Sequence, residues 1–368
     1  MNEKKKICFV SLFAYGLFNP AADLKFGGSE TQLFLIGKKL AEIGEFDISF
    51  IVLDVGQRKV EIYDRVKVIK AYRRGKNVFN QISGFFRLLA ALRQSDPDII
   101  VCRAFGREVG VAALYAKIFR KKLVYCFAND HDADGTFFQG LAGKIFQFGF
   151  KAADWYVAQS QRQRENFQTG FEKKSDKITL IKNSWPAEVM PPVEKNTILW
   201  VGSSAFLKRP EIFLDLAEAF PQEKFVMIMT KSNMGVNGWE EIVARARRLT
   251  NLQLEASVPF REIGAYFSRA KILVNTSSSE GFPNVFLQAA AAKTPLLTMT
   301  VDPDDFIKKN NCGIVAENDI GKLKEGLRVL LSDDKSRDQM GENLYRYFKA
   351  EHDLDINIKK WSELFHVL

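Results

Sequence analysis

The feature that most constrains this chain is a repeated alternation. Short, continuously apolar runs are followed by stretches with helical spacing. The runs Ile7–Leu12, Ile48–Leu53, Ile99–Cys102, Leu123–Phe127, Trp155–Ala158 and Thr179–Ile181 read as strands. After a break come Ile198–Val201, Phe225–Met229, Ile272–Asn275 and Leu296–Met299. Runs that are apolar throughout suit parallel strands covered on both faces. Helical stretches intervene at Thr31–Ile43, Val109–Phe119 and Glu211–Phe220. The first places Leu33, Ile36, Leu40 and Ile43 on one face, and Ser29 with Gln32 three positions on predicts its capping box. The pattern is that of an α/β, doubly wound architecture.

With 368 residues there is room for two domains of about 100–200 residues each. The break falls at 185–195, where Pro186, Pro191 and Pro192 interrupt any periodicity and a strand follows. Domains of 1–190 and 191–347 are therefore expected, two Rossmann-like halves with ligands beyond the carboxyl ends of their strands and one cleft between them. The net charge of +9 is uneven: residues 1–195 carry 31 Lys+Arg against 21 Asp+Glu, and residues 196–368 carry 22 against 23. The basic half calls for an anionic partner.

Several classes are disfavoured. There is no apolar run of about 18 residues, as a membrane-spanning helix needs. The basic start is followed by an apolar run ending at Leu12–Phe13 before Gly16 and Pro20, which reads as a buried strand rather than a signal peptide. Cys8, Cys102, Cys126 and Cys312 lie far apart, as buried reduced thiols do, and a cytoplasmic setting is expected. His131, His352 and His366 form no zinc-type pair, and the last two read as structural.

Three segments carry chemistry. Asn275-Thr-Ser-Ser-Ser-Glu280-Gly281-Phe282-Pro283-Asn284 leaves a strand and opens a helix. Pro283 suits a first helical position, the free amides of that turn suit an anion, and Asn284 and Gln288 share a face. Gly202-Ser203-Ser204-Ala-Phe-Leu-Lys208-Arg209-Pro210 also joins a strand to a helix, and cations at a helix start make sense beside an anionic ligand. Gly27-Gly28 before the first long helix permits close backbone approach. No GxGxxG follows the first strand, which argues against a nicotinamide enzyme.

Together, in this order and separation, these segments resemble the GT-B glycosyltransferases of the GT4-like, group 1 family, over essentially the whole chain. The resemblance implies a GT-B fold whose first domain binds the acceptor and whose second binds a nucleotide-diphosphate sugar. It implies that the C-terminal helix, about 348–368, packs back on the first domain. Glu280 would meet the donor-sugar hydroxyls, and Gly281, Phe282 and Pro283 would offer amides to sugar and diphosphate. Lys208, after Gly202, would neutralise the departing diphosphate. Position 288 would hold the ribose, and Gly28 would let the helix amides approach the ligands. His131 falls at a sugar-contacting loop, with Gly27, Asp130, Gln159 and Asn183 on the acceptor side. Two residues depart from the pattern: Gln288 stands for an acid, and Ser203 for an arginine, with Arg209 beside Lys208 as the candidate to compensate.

The implied activity is a retaining, metal-independent sugar transfer to a carbohydrate or lipid-linked acceptor in cell-surface polysaccharide assembly. The sugar nucleotide is a substrate, and no cofactor is expected. A nucleotide-sugar epimerase or a catalytically weak sugar-nucleotide-binding protein is the alternative. The acids around His131 read as a polar loop rather than a metal site. Lys67 to Lys76 beside the apolar helix at 79–89, with Arg103 to Lys122 following, suggest peripheral contact with an anionic membrane. No nucleic-acid motif occurs.

Overall fold

A computed structural model describes residues 4–22, 24–75, 78–129, 132, 136–171, 174–187, 193–232 and 238–368. The chain forms two units, Met1–Ser184 with Leu354–Leu368, and Trp185–Asp353. Trp185 belongs to the second unit because its N–H donates to the His352 carbonyl (3.0 Å) and its ring packs on Phe260 at 5.6 Å.

The first unit is built on an eight-stranded sheet: β1 (Lys6–Val10), β2 (Asp47–Val52), β3 (Val60–Tyr63), β4 (Val66–Lys70), β5 (Ile99–Arg103), β6 (Lys122–Cys126), β7 (Trp155–Ala158) and β8 (Ile178–Leu180). The order is β3-β4-β2-β1-β5-β6-β7-β8, parallel except for the β3–β4 pair. The second unit has β9 (Thr197–Ser203), β10 (Phe225–Thr230), β11 (Leu252–Glu255), β12 (Ala270–Asn275), β13 (Leu296–Thr298) and β14 (Gly313–Val315), in the order β11-β10-β9-β12-β13-β14. Both sheets are doubly wound. The chain moves one way from β1 to β2 and later returns to β1's other side with β5. The second sheet repeats this about β9, with β10 on one side and β12 on the other. Ligands in such sheets bind at that reversal, beyond the carboxyl ends.

β3, β4, β11 and β14 were not among the expected strands. β3, β11 and β14 are edge strands of three or four residues, half-exposed, without the continuous apolar run of a covered strand. β4 alternates valine and isoleucine with lysine and so read as a basic segment.

Some helix ends also differ. The first long helix runs Gly28–Ile43, earlier than Ser29 suggested. Its cap is Gly27, whose N–H donates to Glu30 Oε2 (2.9 Å). Gln32, assigned to the cap, is instead buried: its amide donates to the Ser184 carbonyl (2.9 Å) and accepts from the Ser184 N–H (2.8 Å). The terminal stretch is not one helix. Asp334–Glu351 ends in the second unit, and Leu354–Val367 follows in the first. The latter is tied down by Lys5 Nζ donating to the Phe365 carbonyl (2.8 Å) and by a Lys39–Asp355 ion pair of 2.9 Å.

Aromatic side chains fill one face of the first sheet: Phe146, Phe150 and Phe167 are fully buried with Tyr125 and Tyr156. All four cysteines are buried free thiols. The helices Arg107–Phe119 and Gly140–Ala152 cross at Gly110 and Gly149. A Cβ on Gly149 would lie 2.5 Å from the Gly110 nitrogen and the Val109 carbonyl, which are backbone atoms that cannot rotate away. Gly149→Ala is expected to destabilise the first unit by about 2 kcal/mol despite alanine's better helix propensity, since overpacking costs about 1–3 kcal/mol. Urea unfolding followed by far-UV circular dichroism measures this, and an unchanged midpoint contradicts it.

Candidate functional site

In the second unit, the reversal beside β9 brings together two loops distant in sequence. β9 leads into the turn Phe206–Lys208 and the helix Pro210–Ala219, with Pro210 at the first helical position as expected. β12 leads through Asn275–Pro283 into the helix Asn284–Ala291. Pro283 is the residue before that helix rather than its first member, with φ −65° and ψ 129°.

The loops are stitched together by backbone. The Ser278 N–H donates to the Leu207 carbonyl (2.9 Å), and Thr276 Oγ1 donates to the Lys208 carbonyl (2.6 Å) while accepting from Trp200 Nε1 (2.9 Å). Gly202 faces the Trp200 ring, where a Cβ would come within 2.8 Å of a ring carbon.

This scaffold sets Lys208 Nζ 2.6 Å from Glu280 Oε2. Asn275 Nδ2 donates to the other carboxylate oxygen (3.0 Å), and the Asn275 amide oxygen accepts from the Ser277 N–H (3.2 Å). Burial pushes the Glu280 carboxyl up, but Lys208, Ser277 and Asn275 outweigh it and hold the group below its ordinary value. Glu280 is thus an ionised, oriented acceptor beside a cation that is 28% exposed.

Arg209 does not stand free at the helix start. It occupies the left-handed region (φ 45°) and donates to the Thr276 carbonyl (2.7 Å), Asn318 Oδ1 (2.7 Å) and Thr300 Oγ1 (3.1 Å). Ser203 ends β9 and brings no charge. Phe282 buries its ring against His352 (4.3 Å between centroids) and Phe306 (5.3 Å), anchoring the turn after Glu280. This gives His352 the structural part expected of it. On the following helix the Gln288 Oε1 atom is buried and has no hydrogen-bond partner among the described residues, which suits a ligand hydroxyl.

A second polar cluster lies within the first unit. Arg103, the last residue of β5, donates from Nη2 to Asn183 Oδ1 (2.7 Å), beyond β8. Its Nε is buried and, among the described residues, unpaired, and burial lowers its pKa. Asp132 is fully buried: Oδ2 accepts from the N–H groups of Ala128 (2.6 Å) and Asn129 (3.3 Å), while Oδ1 has no hydrogen-bond partner among the described residues. Burial holds the Asp132 carboxyl at about 6, against the opposing pull of those amides, Tyr125 and the Arg103 charge. Gln159 is also buried; its Nε2 donates to the Phe127 carbonyl (3.0 Å) and its Oε1 is unpaired among the described residues.

Gln159 and Asn183 thus belong to a polar cluster at the carboxyl edge, and Gly27 and Gly28 form the exposed start of the first long helix. Asp130 and His131 lie outside the described residues. Arg103 and Asp132 were not singled out as site residues. The signal for Arg103 was a charge closing the apolar run Ile99–Cys102, at the end of a strand where ligands bind.

The comparisons with known proteins agree with this architecture. The family described as Glycosyltransferase Family 4 matches residues 26–187, and Glycosyl transferases group 1 matches 181–347. The chain belongs to the GT4-like, group 1 glycosyltransferases and has the GT-B fold. It is 20% identical to the amylovoran biosynthesis glycosyltransferase AmsD of Erwinia amylovora, over 87% of this chain and 91% of that one. Among solved structures it resembles sucrose-phosphate synthase from Thermosynechococcus elongatus (TM-score 0.77, 15% identity, 99% and 98% of the two chains). It also resembles WaaG, a glycosyltransferase involved in lipopolysaccharide biosynthesis (TM-score 0.71, 15% identity, 98% and 99%).

Proposed function

We propose that this glycosyltransferase moves a sugar, with retention, from a nucleotide-diphosphate donor bound by the second unit to a carbohydrate or lipid-linked acceptor bound by the first. The observation that carries the reading is the Lys208–Glu280 pair, held by Asn275 at the ends of β9 and β12. An ionised carboxylate accepts hydrogen bonds from sugar hydroxyls. A neighbouring ammonium and the first amides of the helix Asn284–Ala291 stabilise charge growing on a departing diphosphate. Gln288 Oε1 is free for a ribose hydroxyl.

No acid in this arrangement is assigned the part of a nucleophile behind the anomeric carbon. The diphosphate itself takes the acceptor's proton on the face it leaves, and the new bond forms there. Charge stabilisation and positioning then supply the rate. The unpaired oxygens of Asp132 and Gln159 suit acceptor hydroxyls. Surface-polysaccharide assembly is the setting this reading favours, in keeping with amylovoran biosynthesis for AmsD and lipopolysaccharide biosynthesis for WaaG.

A thermal-shift series with UDP-, GDP- and ADP-sugars tests donor binding. The cognate donor at about 100 times its Kd is expected to add about 2.7 kcal/mol of stability. Nuclear magnetic resonance of the product then reads the anomeric configuration, and turnover in excess chelator reads metal independence. An inverted product, or isomerisation of donor without acceptor, overturns the mechanism. Because Ser203 is neutral and Arg209 is tethered, a binding-only protein is the second reading; donor binding without turnover on any acceptor selects it.

A further inference from the structure

We propose that the outer face of three helices of the first unit, Val78–Ser95, Arg107–Phe119 and Gly140–Ala152, docks on an anionic lipid bilayer. These helices bury their inner faces in one core over the same side of the sheet. Their outer faces are unusually apolar for a surface. Ile82 and Phe86, one turn apart on the first, are 54% and 63% exposed. Leu141 and Phe148, two turns apart on the third, are 71% and 46% exposed, and Ile118 at the end of the second is 59% exposed.

Cations are interleaved with these side chains at helical spacing: Arg87 and Arg93 on the first helix, Lys117 on the second, Lys144 and Lys151 on the third. All are exposed, and among the described residues none is in an ion pair. The first and third helices contain no acidic residue. Of the acids nearby, Glu108 is half-buried at the start of the second helix, and Asp96 pairs with Lys6 (3.3 Å) and Lys121 (3.5 Å). In the second unit, by contrast, cations such as Lys271, Lys293, Lys308 and Arg245 are ion-paired.

This combination selects one occupant. Exposed isoleucine and leucine have no use in a nucleic-acid groove, where bases stack on aromatic rings. A second copy seated face to face would bring like charges together. A bilayer with anionic headgroups meets both features at once, since cations attract the headgroup layer and apolar side chains enter its boundary. The inference goes beyond sugar transfer, and its test needs no sugar, so the two readings fail separately.

The full chain is mixed with phosphatidylcholine vesicles, with and without phosphatidylglycerol, and bound protein is read by co-sedimentation over a salt series. Binding is expected only with the anionic lipid, falling with salt to a residue held by insertion. The variant Arg87→Gln/Arg93→Gln/Lys144→Gln/Lys151→Gln is expected to lose at least about a hundredfold in partitioning at low salt. Phe86→Ser/Phe148→Ser keeps the charge and is expected to lose the salt-resistant residue. All six positions are exposed, and unchanged thermal unfolding of each variant confirms that it folds. Equal binding to neutral vesicles, no binding to anionic ones, or wild-type binding by the quadruple variant overturns the proposal. So does a concentration-dependent dimer in sedimentation, or capture of single-stranded RNA, that the same substitutions abolish.

Discussion

Lys208→Ala is expected to lower turnover by at least about 10²-fold, the scale of removing one preorganised donor at a developing anion. The effect is expected in kcat more than in KM, because in the proposed mechanism the ammonium serves charge that grows as the diphosphate leaves. The backbone of the turn is held independently by Thr276 and Ser278, so the side chain is removed without dismantling the loop. Glu280 reports on the same substitution. Burial already pushes its carboxyl up, and Lys208 is the foremost group holding it down. Without Lys208 its pKa rises, and the remaining activity should appear only at higher pH than in the parent. Steady-state kinetics across pH, with Lys208→Arg as the charge-preserving control, measure both effects. Unchanged turnover in Lys208→Ala removes this lysine from the mechanism.

Asp132→Asn is expected to stabilise the protein by about 2–3 kcal/mol near neutral pH, at about 1.4 kcal/mol per unit of pKa shift. The carboxyl titrates at about 6 in the fold against an ordinary 3.8, because burial penalises its charge by more than the Ala128 and Asn129 amides, Tyr125 and Arg103 stabilise it. Below the ordinary value both states hold the proton and nothing is lost. Between 3.8 and about 6 the folded state keeps a proton that the unfolded chain releases, so stability falls as pH rises. Above that range the whole cost is present. Asparagine keeps an acceptor for the Ala128 and Asn129 amides and carries no charge. The gain should therefore shrink as pH approaches 4, which urea unfolding at several pH values measures. A variant no more stable than the parent at neutral pH would falsify the buried-charge account. If stability rises while transfer falls, the carboxylate is retained for what it binds.

How much of this was legible in the sequence varies by element. Covered strands announced themselves: every apolar run from Ile7 to Met299 lies on or within a residue or two of an observed strand, because burial on both faces demands continuous hydrophobicity. Three of the four edge strands did not, since one open side removes that demand, as in Leu252–Glu255, and neither did β4, whose apolar run is broken by lysine. The loops bearing Lys208 and Glu280 were visible through their setting, a strand before and a helix after. Asp132 was hidden because its importance is an environment, full burial with one oxygen left over, and no local pattern encodes that. Helix starts were misplaced at Gly27 and Pro283 because several residues in each segment are competent caps and only the hydrogen bonds select one.

By itself, the sequence determined that the chain makes parallel, doubly covered sheets, and it singled out the two strand-to-helix loops that bear Lys208 and Glu280. These are properties of local periodicity and residue type. Only the tertiary structure decided that β12 lies beside β9, so that Lys208 and Glu280 meet at 2.6 Å. It likewise decided that Arg103 reaches Asn183 past two strands, and that Arg87, Arg93, Lys117, Lys144 and Lys151 stand exposed on three neighbouring helices, in no ion pair among the described residues. Strand neighbours are chosen by how crossovers pack across a whole sheet, so contacts between distant residues exist only once the sheet is assembled.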